Sequence, residues 1–176
     1  MTIVFPETTK ARGNTSIGVL TAYNGDGTLS LATDVNVDTS LIVSCFMYGD
    51  EWGITTNENV GQGPKPFCSK KVPQEFGDET VEVAALQYSY DPQGAAASEA
   101  NRAKTLLVPG TEVWLVVRRG IDAETEPFAV GDIVDLHRVV LGKQNKTQTG
   151  AGEFDIYTIT QRAVHRQSVE DVAIAA

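Results

Sequence analysis

Apolar and polar residues alternate with a period of two through most of the chain, and this pattern predicts strands. Residues 16–23 open with small and β-branched side chains and close on Asn24-Gly25-Asp26-Gly27, a turn cluster. Thr33-Asp34-Val35-Asn36-Val37-Asp38 alternates strictly, so one face of that strand is wet. Residues 41–47 are apolar throughout except Ser44, which predicts a strand buried on both faces. Alternation returns over 80–90, with Ala84, Leu86, Tyr88 and Tyr90 on one side. Further strands are predicted over 112–118, 133–141 and 154–161, each enriched in Val, Ile, Tyr or Thr.

Helical spacing occurs once. Residues 95–107 are rich in helix formers, place Ala96, Ala100, Ala103 and Leu107 on one stripe, and stop at Pro109-Gly110. Small residues on that stripe suit a helix lying close against a sheet. The fold predicted is therefore mainly β, an antiparallel β-sandwich with one flanking α-helix over about residues 95–107 and a long projecting loop. At 176 residues the chain fits one domain. Its expected parts are an N-terminal arm (1–15), the projecting loop (49–79) and a C-terminal strand or arm (164–176).

The loop is the exception to the periodicity. It holds Pro64, Pro66 and Pro73, five glycines, and the bulky apolar residues Trp52, Ile54, Val60, Phe67 and Phe76. Loops beyond about 12–15 residues without structure of their own tend to be functional or disordered, and a disordered linker is poorer in aromatics. Two readings stay open: an arm ordered against a neighbour, or a loop folded back on its own domain.

Composition adds little until charge is considered. The formal net charge is −9, from 23 acidic and 14 basic residues, scattered rather than blocked. Such a balance opposes tight binding to a phosphate backbone, where affinity comes from basic groups displacing counterions. It suits a solvated surface, and equally a surface that nucleic acid must pass without sticking. No run of about 18 apolar residues exists to span a bilayer, and the first residues lack a secretory signal's basic and apolar regions. The expected setting is the cytoplasm, where Cys45 and Cys68 stay reduced, with Cys45 expected as a small core residue in its apolar run.

Catalytic chemistry finds little footing. Only His137 and His165 are available. His137 sits inside a strand with Asp135 and Val139 on its face, which reads as a surface or satisfied histidine. His165 lies near the end of the sequence, a poor place for a rigid site. Asp34-x-Asn36-x-Asp38 mimics the start of a calcium loop, but Thr39 stands where glycine is needed and Cys45 where the bidentate glutamate belongs. Gly61-Gln62-Gly63-Pro64 is no phosphate cradle, since proline interrupts the amides. No metal or cofactor motif is present, and the expectation is a non-enzyme without cofactors. Lys70-Lys71 and Arg118-Arg119 are isolated basic pairs, read as solvated charges or as partners for another subunit's acids.

Several stretches in order resemble the major tail (tail tube) proteins of long-tailed bacteriophages, particularly the type found in phages of actinobacteria. They are residues 41–50, the Pro66-Phe67-Cys68 and Pro73-Gln74-Glu75-Phe76-Gly77 segments, 86–92, 107–120, 127–135 and 170–176. The resemblance covers about residues 40–176.

That resemblance implies a β-sandwich with a helix on its flank, assembling as hexameric rings whose inner strands close into a continuous barrel. Rings stack through extended loops and termini, and the resulting channel, typically acid-lined, carries DNA at ejection without specific binding. The implied partners are further copies of the chain, a tape-measure protein, a tail terminator and distal tail proteins, with no membrane involved. The implied location is the virion tail, assembled in the host cytoplasm. On this basis Tyr48, Trp52, Phe67 and Phe76 are candidate inter-ring anchors, and Asp34, Asn36 and Asp38 a candidate lumen-facing row. Two other readings stay open: a tail terminator or injection-needle tube subunit of related fold, and a monomeric ligand-binding β-barrel. The long aromatic-bearing arm argues against a closed barrel.

Overall fold

The computed structural model describes residues 13–21, 23, 29–30, 42–48, 52–65, 67–68, 71–124, 126–150, 153 and 155–175. The β-branched and apolar runs form eight strands among these residues. They are β1 (Thr15–Leu20), β2 (Leu29–Ser30), β3 (Ile54–Gln62), β4 (Gln74–Val83), β5 (Leu86–Ser89), β6 (Glu112–Arg119), β7 (Ile133–Gln148) and β8 (Tyr157–Ala175). The chain is mainly β and antiparallel, the sandwich class that the alternation predicts. The main sheet runs β1-β6-β7-β8-β2, with β5 also pairing on β8. Its one parallel contact is the two-residue β2–β8 pairing. β3 and β4 form a separate two-stranded sheet.

β6 explains why the sheet is covered on both faces. Val113 and Leu115 point into one cluster with Ile17, Val19, Val139, Leu141 and Tyr88. Trp114 and Val116 point into the other, with Leu20, Phe128, Leu136 and Ile174. A strand buried on both sides loses the alternation signal and reads as the near-continuous apolar run Val113–Val117.

Several elements differ from expectation, each for a visible reason. β8 joins the predicted 154–161 strand and the C-terminal strand into one element, which pairs with β7 through three register shifts. These shifts let one long ladder bend: β7 pairs with β6 along its first half, while β5 pairs with β8 opposite the second. At the third shift Gly142 is required, because a Cβ there would meet the Arg162 carbonyl oxygen at 2.9 Å.

The buried strand predicted over 41–47 is a 3₁₀ turn over Ser44–Phe46 between two isolated bridges, Gly18 with Ile42 and Met47 with Tyr88. Ser44 is the reason: its Oγ accepts the Ile17 N–H at 2.7 Å, taking the place of a ladder bond. The turn leaves Cys45 exposed rather than in the core.

The predicted helix is much shorter. A 3₁₀ turn over Glu99–Asn101 leads into α1 (Arg102–Leu106). The fully buried Asn101 donates from its side chain to the carbonyls of Asp91, Gly94 and Ala95 and accepts the Asp91 N–H. Those bonds hold residues 91–98 in turns, in competition with helix. At the other end Gln144 donates to the carbonyls of Lys104 and Leu107, fixing α1 on the sheet.

The 49–79 segment is no structureless loop, since its described part carries β3 and most of β4. The strand predicted over 80–90 accordingly breaks at Ala84, whose N–H donates to the Gly53 carbonyl where the hairpin leaves the body.

Candidate assembly surface

Every described residue from Thr55 to Thr80 is exposed except Gly63. A two-stranded hairpin alone in water is marginal, and natural ones bury a face against something else. The pairing register shows which face needs cover. Ile54 stands opposite Val83, Thr56 opposite Val81, Glu58 opposite Glu79, Val60 opposite Phe76 and Gln62 opposite Gln74. The register shift between Glu58 and Val60 adds one residue to β4, so β3 keeps its alternation across it. These five pairs therefore share one face, while Thr55, Glu82, Asn57, Thr80, Gly61 and Glu75 occupy the other.

The first face begins inside the protein, where Val83 packs on the core, and beyond the body it carries one further apolar pair, Val60 and Phe76. Val60 is 52% and Phe76 78% exposed. Midway stand the two carboxylates of Glu58 and Glu79, directly opposite each other, an arrangement that destabilises a lone hairpin.

Of the expected anchors, Phe67 is fully exposed at the hairpin turn and Phe76 lies on the apolar face. Trp52 sits at the hairpin root, half-buried against the core, its ring 6.0 Å from that of His137. Tyr48 lies apart, 45% exposed, where its N–H donates to the Gln87 carbonyl beside β5. The structure thus gathers Phe67 and Phe76 on one hairpin, with Trp52 rooting it. Asp34, Asn36 and Asp38 lie outside the described residues.

Arg118, expected as a solvated or interfacial charge, is 1% exposed. Its guanidinium bonds Asp132 Oδ2 and the Pro127 carbonyl at 2.7 Å each, Ser16 Oγ at 3.0 Å and the Glu126 carbonyl, and stacks 4.9 Å from Phe128. It clamps the loop between β6 and β7. Its neighbour Arg119 is the surface member, paired with Asp135. Nothing in the pattern of the sequence separates these two arginines except strand parity, which puts 118 on the face of Trp114 and Val116.

The two histidines meet at one serine. His137 Nδ1 and His165 Nε2 each lie 2.8 Å from Ser168 Oγ. His137 is buried, and its Nε2 has no partner. Burial holds its pKa below the ordinary value, with Arg119 and His165 adding to the shift and Asp135 opposing it. The sequence suggests a surface or satisfied strand histidine; the structure instead buries it, with one ring nitrogen bonded to Ser168 and the other without a partner.

With an exposed, half-apolar hairpin projecting from a mainly-β body, a comparison with known families becomes decisive. A family model for phage tail tube proteins matches residues 2–176. The chain belongs to the phage tail tube protein family. A search of curated proteins finds no match. As a member of that family the chain is a structural protein of the phage tail, and self-assembly with other tail proteins is its working mode. Among the described residues of this tail tube protein no helix is long and apolar enough to cross a membrane.

Proposed function

We propose that this tail tube protein polymerises as stacked hexameric rings, forming the channel through which the phage genome is ejected. The observation that carries this reading is the β3–β4 hairpin, exposed on both faces beyond its root and bearing the exposed apolar pair Val60 and Phe76 on one. An element so placed is stabilised once a neighbouring copy covers it. Phe67 and Phe76 are the inter-ring anchors of this reading, Tyr48 a separate contact on the β5 side, and Trp52 the fixed root. Edge-to-edge joining of subunits also removes free strand edges, which otherwise invite uncontrolled pairing.

The net charge of −9 fits a DNA channel, because like charge keeps phosphates from adhering to its wall. Asp34, Asn36 and Asp38 are the proposed lumen row. A tape-measure protein inside the growing tube, a terminator and distal tail proteins at its ends, and assembly in the host cytoplasm complete the proposal. The whole chain acts as one tube domain without catalytic function.

Negative-stain microscopy of the purified protein at rising concentration tests this reading. Rings and hollow tubes are the expected result. A protein that stays monomeric at every concentration contradicts it.

A further inference from the structure

We infer that the apolar face of the β3–β4 hairpin docks on the outer β7–β8 surface of a second copy of this chain, with Glu58 and Glu79 neutralised by the neighbour's Arg162 and Arg166. This rests on the self-assembly reading above and specifies where the hairpin lands.

The hairpin defines what its partner must offer. Its free face presents an apolar pair, Val60 and Phe76, and one two-residue step along it a pair of opposed carboxylates, Glu58 and Glu79. A partner that covers this face must bring apolar surface and cationic groups about 7 Å apart, the length of that step. A purely apolar partner would strand two buried carboxylates.

An exposed surface on β7 and β8 has that composition. On β8, Val164 is 59% exposed opposite Val140 of β7. Arg162 lies one two-residue step before it on the same strand face, and Arg166 at the extra residue of a register shift just after it. Both arginines are exposed. Among the described residues Arg162 and Arg166 form no ion pair, so both are available to an outside carboxylate. On β8 each arginine lies two residues from Val164, as Glu58 lies two residues from Val60 on β3, and arginines on either side of the valine can reach toward a pair of carboxylates set beside it. In a chain of net charge −9, two exposed arginines flanking an exposed valine are a local inversion of the prevailing sign.

Charge reversal with rescue is the test, read as the fraction of protein pelleting as polymer. Glu58→Lys with Glu79→Lys, and separately Arg162→Glu with Arg166→Glu, should each lower that fraction about tenfold, because each sets like charges together. The four substitutions combined should restore polymer. Circular dichroism and the thermal midpoint report whether each variant folds. An independent probe avoids charge altogether: Phe76→Cys with Val164→Cys, in a Cys45→Ser, Cys68→Ser background, oxidised in the polymer. A ladder of disulfide-linked chains is expected on a non-reducing gel. Normal assembly of both charge-reversed variants, or no ladder from a polymer that forms, overturns the docking site and leaves self-assembly standing. A wild-type chain that never polymerises defeats the self-assembly reading itself.

Discussion

Two buried polar residues show how much a single side chain decides. Arg118 replaces a row of missing backbone bonds in the β6–β7 loop, and Asp132 both pairs with it and accepts the Ala129 N–H at 2.9 Å. Arg118→Met should lower unfolding stability by about 3 kcal/mol, since it leaves Asp132 without its charge partner. Adding Asp132→Leu should recover part of that loss, measured by urea titration. His137 makes a pH prediction. Its folded pKa lies below the ordinary 6.5, so the unfolded chain binds more protons as pH falls. Its contribution is complete above that ordinary value and is lost as pH falls below it toward the folded pKa. The thermal midpoint should therefore drop between about pH 7 and pH 5, and His137→Gln should flatten that part of the profile. An unchanged profile in the variant places the acid sensitivity elsewhere. Tyr88 is a further buried polar residue, donating to Gln161 Oε1 at 2.9 Å, and burial pushes its phenol well above the usual range.

At the scale of elements, the hairpin separates stability from assembly. Replacing residues 60–76 by a short turn should leave the body's thermal midpoint within a few degrees of wild type, because Val60, Phe67 and Phe76 make no contribution to either core cluster. It should nevertheless abolish polymer in a sedimentation assay. A truncated chain that still pellets as tubes removes the hairpin from the assembly mechanism. This element also marks where sequence reading stops. β6 and the first half of β7 are legible because both of their faces meet the protein's own core, and burial imposes apolar residues. β3 and β4 were hidden among glycines and prolines, because neither face is buried within one chain and the local pattern has nothing to record. Phe67 and Phe76 remained visible as aromatics without an evident core. Glu58 and Glu79 could be found only from the register. Helix propensity over 95–107 was outweighed by the side chain of Asn101, a polar residue whose role depends on carbonyls six to ten positions earlier.

At the scale of the whole molecule, one strand ladder ties these parts together. β7 and β8 contribute to both core clusters, carry the His137–Ser168–His165 junction beneath the hairpin root, and expose Arg162, Val164 and Arg166. The core sets the body, and the exposed remainder of the same ladder offers a landing place for the next copy. The family match fixes the structural role; the hairpin indicates how that role is carried out. Cryo-electron microscopy of the assembled polymer tests this most directly. The account predicts a hollow tube in which residues 54–83 extend from one subunit and lie across β7 and β8 of a neighbour. A polymer whose hairpins fold back on their own subunits, or a filament without a channel, contradicts it.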